Sequence, residues 1–438
     1  MTEAAHSSLV HAFDSQRGRH ILVPDGSRIY DLASELALEV DTAVSAGEDA
    51  VARLLERYGL ASSPYIDDVP LQDPPIRALS LAVAQKCNLG CAYCYAQGGD
   101  FGGVPRNMSW PIARAAIERL IDAAEPGQRV NLAFLGGEPL VNRALVRDAT
   151  AFAADQAKAR DIRVGFSITT NGTLLSAEDA SFFEEYGFAV TVSLDGVGDT
   201  HDRLRPFRGG DGSYARIMAR VKPLLDRQQR MQVSARVTVT PLNIQLQDML
   251  DEFVATGFHS VGFSPMLSAP TGRLELNQPD LMTMLEEMIG CARKFESETV
   301  AGRRYPFSNM TEALRQIHRG IHRPYSCGAG AGYFGVSAEG GLFACHRFVD
   351  DENGRLGDVK DGLQRDKRNA WLAERHVHRQ EPCSKCWARY LCGGGCHHEV
   401  IYRGRPACDF IRGWLHHCLV TYVNVMEQRP DFFSAERS

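Results

Sequence analysis

Between residues 78 and 266 one pattern repeats six times: a short apolar strand, a polar or glycine-rich break, and a stretch of helical periodicity. The strand candidates are ALSLAVAQ (78–85), VNLAFLG (130–136), VGFSITT (164–170), AVTVSLD (189–195), QVSARVTVT (232–240) and SVGFSPM (260–266). Segments such as WPIARAAIERLIDAA, LVRDATAFAADQAKA and YARIMARVKPLLDRQ separate them with a helical period. Strands that alternate with helices call for a parallel sheet or barrel. The breaks carry the second constraint. Cys87, Cys91 and Cys94 follow the first strand, GGEP (136–139) the second, TNGT (170–173) the third and SLDG (193–196) the fourth. In β/α barrels the C-terminal strand ends form the active face, so these four elements are expected to converge on one site.

The flanks read differently. Residues 1–76 show short alternating runs (HILVP, SRIYDL), then helical periodicity in ELALEVDTAVSAG and EDAVARLLERYGL, and end in a proline-rich linker. Strands followed by helices predict a small winged-helix-like unit. Residues 77–300 hold the β/α units and 301–438 a C-terminal part that turns rich in Gly, Cys and His from about 320. That part shows little periodicity, and segments unable to bury a continuous apolar face are commonly held by metal.

Twelve cysteines in 438 residues are too few for a disulfide scaffold and too bunched for scattered core thiols. Three lie at 87–94, eight at 327–418, and only Cys291 is isolated. In a reducing compartment such bunching reads as metal or iron-sulfur ligation. No apolar run reaches the length of a membrane span and the N-terminus lacks a secretory signal, so the expectation is a cytoplasmic protein without a membrane partner. Residues 1–76 carry thirteen Asp and Glu against five Arg and no Lys, a charge of −8 within a net −6. This opposes a nucleic-acid partner, because such binding rests on phosphate neutralisation.

The C-x3-C-x2-C loop offers three thiolates. Three can hold three irons of a 4Fe-4S cube and leave the fourth open to a small molecule; the alternative is a zinc site completed from elsewhere. With Tyr93 before the third cysteine, and with GGEP, TNGT and SLDG at the following strands, residues 78–300 resemble the radical S-adenosylmethionine (SAM) superfamily. The resemblance implies a partial, TIM-like (β/α)6 barrel. It also implies that SAM chelates the open iron and is cleaved to a 5′-deoxyadenosyl radical, which abstracts hydrogen from an unactivated carbon.

It further implies cofactor-binding roles. Tyr93 belongs to the cluster loop. Gly136, Gly137 and Glu138 would let the backbone approach the methionine amino group, glycine having no Cβ to obstruct it, although Glu138 alternatively satisfies neighbouring backbone donors. Asn171, Ser193 and Asp195 suit the ribose and carboxylate of SAM. Arg236 would pair with the carboxylate or else serve a structural role. The HDRLRPFRGGDGSY segment would bring His201, Asp202 and Arg205 to the site, with Asp211 or Ser213 alternatively capping a helix.

Cys383, Cys386, Cys392 and Cys396 form C-x2-C-x5-C-x3-C, and Cys327 precedes EGGLFAC, which ends in Cys345. This resembles the SPASM extension of peptide and protein maturases, with a zinc ribbon as the alternative. The resemblance implies two auxiliary 4Fe-4S clusters, making three in all. One would use Cys383, Cys386, Cys392 and Cys408, the other Cys327, Cys345 and Cys396. The second departs from the full pattern, Ile321 standing where a further cysteine is looked for. Cys418, His346 or His397 completes it, or one iron is open to a substrate thiolate.

The function expected is a radical SAM peptide or protein maturase that installs an intramolecular crosslink, a thioether above all, in a ribosomally made chain. The whole-chain pattern is similar to the thioether-forming maturases of quinohemoprotein amine dehydrogenase. Rivals are carbon-carbon or cyclophane crosslinking, epimerisation, and formylglycine formation as in sulfatase maturation; the non-enzyme rival is an iron-sulfur transcriptional sensor. Expected partners are a precursor peptide or small protein, received by the N-terminal unit at a sheet edge, and an external electron donor. No catalytic base is identified.

Overall fold

The computed structural model describes residues 7–434. The N-terminal unit is a three-stranded antiparallel sheet, β1 (His11–Ser15), β2 (Gly18–Val23) and β3 (Arg28–Asp31), followed by helices α1 (Ser34–Ala46) and α2 (Glu48–Arg57). Val10, Ile21 and Val23 from the sheet meet Val40, Val51, Leu54 and Leu55 from the helices in a small core of their own. The sequence reading found β2 and β3 and missed β1, whose five residues HAFDS contain only two apolar side chains. β1 faces the rest of the molecule: His11 stacks on Trp387 with ring centroids 3.6 Å apart, and Phe13 joins the main core.

The central sheet begins with β4 (Ala78–Gln85), to whose end the two-residue β5 (Arg106–Asn107) pairs. It continues through α3 (Trp110–Asp122), β6 (Arg129–Gly136), α4 (Arg143–Ala159), β7 (Arg163–Thr170), α5 (Ala177–Tyr186) and β8 (Ala189–Ser193). Then follow α6 (Asp199–Leu204), α7 (Tyr214–Leu225), β9 (Gln232–Val239), α8 (Leu246–Thr256) and β10 (Ser260–Pro265). β4, β6, β7, β8, β9 and β10 lie side by side in chain order, all parallel. This is the six-unit β/α architecture that the alternation demands, and all six strand candidates become strands.

Burial follows the residue pattern. In β9, Val233, Ala235, Val237 and Val239 are buried under the helices while Ser234, Arg236 and Thr238 keep access to solvent. Register sets Ser193, Arg236 and Gly262 in one row across β8, β9 and β10, and Thr191, Ser234 and Ser260 in another. The inner wall is therefore made of small polar side chains, which leave the interior open where Leu or Val would fill it.

The C-terminal part corrects an expectation. After α9 (Gln278–Val300) and α10 (Ser308–His318) it forms β11 (Tyr333–Val336), β12 (Gly341–Phe343), β13 (Arg355–Asp358) and β14 (Gly362–Leu363). β11 pairs in parallel with β4, so the sheet runs on past the barrel's first strand. Strands this short have little periodicity of their own; they are stable because β4 offers a ready ladder and Phe334, Val336, Leu342 and Phe343 are buried by it. Helices α11 (Arg365–Arg375), α12 (Arg389–Cys392), α13 (His397–Arg403) and α14 (Cys408–Gln428) complete the chain. α14 lays Trp414, Leu415, Leu419 and Val423 into the main core. Among the described residues no helix is long and apolar enough to cross a membrane.

Candidate active site

The loop after β4 carries Cys87, Cys91 and Cys94, all partly accessible and close enough for their charges to act on one another. Two neutral donors reach the Cys87 sulfur, the Leu89 N–H at 3.5 Å and Asn171 Nδ2 at 3.6 Å. The loop is held from outside by the segment after SLDG. The Gly90 N–H donates to Pro206 O at 2.8 Å, and Leu89 bridges to Phe207.

Glu138 is fully buried. Its Oε1 accepts the Leu140 N–H at 3.0 Å and the Thr170 hydroxyl at 2.8 Å, and Oε2 accepts the Asn171 N–H at 2.7 Å. Of the two sequence readings, the structure realises the one in which Glu138 satisfies chain donors. Burial pushes its carboxyl up to about 7 against the pull of those donors. Gly136 and Gly137 are likewise explained by the protein itself. A Cβ on Gly136 would stand 2.2 Å from Ala84 O, and one on Gly137 2.3 Å from Lys86 O. Their smoothness lets the second motif close on the root of the cysteine loop.

Asp195 also turns inward. It is fully buried, accepts the Thr238 N–H at 2.7 Å, Arg205 Nε at 2.6 Å and the Tyr93 hydroxyl, and so has no oxygen left for a ligand. Asp195 is thereby a junction joining the cysteine loop, β8, β9 and the 201–205 segment. His201 and Asp202 belong to the same framework: His201 Nδ1 accepts the Asp195 N–H at 3.2 Å, and Asp202 accepts the Ser213 and Tyr214 N–H groups at the start of α7. The helix cap is thus Asp202, where Asp211 or Ser213 was weighed. Asn171 spends its side chain on Asn88 Oδ1 at 2.9 Å and on the Thr173 N–H and hydroxyl.

Ser193 and Arg236 are different. Both face the barrel interior, and among the described residues Arg236 has no carboxylate partner, its guanidinium reaching the Ser264 hydroxyl. The surrounding barrel wall costs it part of its hydration and lowers its pKa, although the side chain keeps access to the open interior. An unneutralised guanidinium inside a polar barrel is a place for an anion.

The other thiols form two groups. Cys383, Cys386, Cys392 and Cys408 act on one another electrostatically and line one small cavity, which Cys396 also lines. Cys327, Cys345 and Cys396 form the second group. The structure does not bring Cys418 to either. It is fully buried in the apolar core, ten residues along α14 from Cys408, or about 15 Å at the rise of a helix. His346 follows Cys345 and holds Tyr333 through Nδ1 at 2.7 Å. His397 packs edge-on against Trp371, both its ring nitrogens buried without a hydrogen-bond partner.

A cavity of about 540 Å³ is lined by residues that neighbour Cys94, Cys345 and Cys396 in the chain. Tyr95, beside Cys94, lines it from one side; Arg347 and His398, near Cys345 and Cys396, line it from the other. Gln97, Phe101 and Asp350 on its wall hold φ values of 50°, 58° and 60°, a left-handed conformation that costs non-glycine residues energy and gathers at functional sites. None of these wall residues stood out in the sequence, although Tyr95 and Arg347 lie one and two positions from a ligand candidate.

Residues 81–256 match the Radical SAM superfamily. The chain is a radical SAM enzyme. The cysteine-type anaerobic sulfatase-maturating enzyme of Clostridium novyi (strain NT) is 27% identical over 73% of this chain and 88% of its own. The serine-type anaerobic sulfatase-maturating enzyme of Klebsiella aerogenes is 25% identical over 75% and 81%. The solved structure of native anSMEcpe with bound AdoMet and Cp18Cys peptide superposes on 83% of this chain and 99% of its own with a TM-score of 0.62 at 19% identity, a likeness of fold. Radical SAM enzymes use SAM and a 4Fe-4S cluster, and those with a SPASM extension carry further clusters. The donor sets of this radical SAM enzyme fit them. Among the described residues no three His, Cys, Asp or Glu groups converge closely enough to hold one metal ion.

Proposed function

We propose that this radical SAM enzyme is a SPASM-type maturase that oxidises a ribosomally made peptide or small protein and closes a thioether in it. The observation that carries the reading is the cavity shared by Tyr95 on the cysteine-loop side and by Arg347 and His398 on the side of Cys345 and Cys396. A peptide there would meet side chains that neighbour Cys94, Cys345 and Cys396 along the chain. Cys87, Cys91 and Cys94 would hold the cluster that carries SAM. Cys383, Cys386, Cys392 and Cys408 would hold a closed auxiliary cluster, and Cys327, Cys345 and Cys396 one with a place left for a substrate thiolate. Bound together, the first cluster and SAM supply a 5′-deoxyadenosyl radical.

The chain's own residues do the rest. Arg236 and Ser193 would bind the carboxylate and hydroxyls of SAM from the barrel wall. Glu138, Asn171, Asp195 and Tyr93 would act through the backbone and the loop, fixing where the three thiolates stand. The N-terminal unit, with a charge of −8 over residues 1–76, would receive a leader segment at a sheet edge. Reduced thiols suit the cytoplasm, and an external donor would supply electrons.

A second reading, formylglycine formation, draws on the names of the Clostridium and Klebsiella relatives. Against it, the position after Cys345 holds His346, occupied with Tyr333, where an acid is looked for. The test is anaerobic incubation of the cluster-loaded enzyme with SAM, a reductant and any small cysteine-bearing protein encoded beside it. A thioether removes two hydrogens and one alkylatable thiol and yields no carbonyl. A product captured by a hydrazide would establish formylglycine instead, and an unchanged mass with altered chirality would establish epimerisation.

A further inference from the structure

Arg347 occupies an unusual position for a guanidinium. Its side chain is only 18% exposed. Nη1 donates to Glu399 at 2.7 Å and reaches the Cys396 sulfur at 3.8 Å, while Nη2 reaches Ser268 O at 3.3 Å. Its charge acts on both Cys396 and Cys345, and its carbon centre lies over the ring of Tyr95, 5.9 Å from the ring centroid. The donors on Cys87 are neutral, an amide side chain and a backbone N–H. On Cys396 a cation joins the backbone N–H groups of His398 and Glu399.

Hydrogen bonds and charges at cluster sulfurs set reduction potentials, because reduction adds a negative charge that a nearby cation stabilises. We infer that Arg347 raises the reduction potential of the cluster held by Cys327, Cys345 and Cys396, making it the acceptor for the electron released when the substrate is oxidised in the cavity. This rests on the maturase reading and adds a role for one residue. The electron count requires an acceptor. A substrate carbon radical brings one electron and a thiolate sulfur brings a pair. The C–S bond keeps two of the three, and the third leaves to the oxidised cluster beside the cavity. Formylglycine formation releases an electron and a proton from the same kind of radical, so Arg347 serves that outcome as well. Glu399 opposes it, its carboxylate sharing Nη1 with the Cys396 sulfur and itself acting on Cys396.

The test is an anaerobic redox titration of the cluster-loaded chain followed by EPR, alongside iron and sulfide content. Arg347→Gln is expected to move one midpoint to more negative potential. Glu399→Gln is expected to move the same midpoint to more positive potential. Arg347→Lys should retain most of the wild-type value, and the other midpoints should stay in place in all three. If Arg347→Gln fails to load its clusters, the opposite-signed shift in Glu399→Gln carries the test. Midpoints unmoved by both Gln substitutions, or moved in the same direction by both, overturn the role of Arg347 while leaving the maturase reading intact. A wild-type chain that loads no cluster at Cys327, Cys345 and Cys396 overturns both.

Discussion

The Glu138 carboxylate accepts the backbone N–H of Asn171 at 2.7 Å, joining the GGEP and TNGT motifs through a fully buried bond. Three donors converge on this one side chain, so Glu138→Gln must turn an amide N–H₂ toward at least one N–H. Leaving a buried donor unsatisfied costs about 1–3 kcal/mol, and a lower midpoint in thermal unfolding measures it.

The same residue gives a pH dependence. Its carboxyl is raised from 4.5 to about 7 by burial, so the folded chain holds a proton that the unfolded chain releases. The resulting stability is present in full below about 4.5 and is lost as pH rises toward 7. Thermal midpoints should fall across that window in the wild type, and the component due to this group should vanish in Glu138→Gln.

Arg205 and Asp195 form an ion pair of 2.6 Å with side chains 13% and 0% exposed. Arg205→Met leaves a buried carboxylate unpaired, at a cost of about 3–5 kcal/mol. Asp195→Asn combined with Arg205→Met should recover much of that loss. Equal melting points for the single and double variants would show that the pair does not hold the loop.

How much of this is visible in the sequence depends on what each feature requires. The six parallel strands are, because strands such as ALSLAVAQ and QVSARVTVT state their burial residue by residue. Convergence of the four motifs is, because topology alone brings strand ends together. The direction of a carboxylate is not: the positions of Glu138 and Asp195 predict only that they stand at strand ends, and whether they face a ligand or backbone donors depends on Thr170, Asn171, Thr238 and Arg205 arriving from distant segments. β11 and β12 escape for a related reason, since their stability comes from the edge of β4. Cys418 shares the spacing of its neighbours, and only the turn of α14 shows that it points into the core.

Cys418→Ala should therefore leave iron content unchanged, whereas Cys408→Ala should remove one cluster's share. Iron and sulfide assays on the purified variants separate the two. Equal losses would return Cys418 to the ligand set.

Among the described residues Arg236 lacks a carboxylate partner inside the barrel, and Arg236→Met should weaken SAM binding roughly 10- to 100-fold, the worth of a charge-assisted hydrogen bond. Equilibrium dialysis with labelled SAM measures this at unchanged iron content. Wild-type affinity in the variant would assign the guanidinium a structural role.

The central claim is that the three-cysteine loop leaves one iron for SAM. Its most direct test is chromatography for 5′-deoxyadenosine after anaerobic incubation of the cluster-loaded chain with SAM and a strong reductant. The wild type should form it, and the Cys87→Ala, Cys91→Ala and Cys94→Ala variants should not, though their auxiliary clusters remain. No 5′-deoxyadenosine from a fully loaded wild type, or undiminished formation in the variants, would contradict the account.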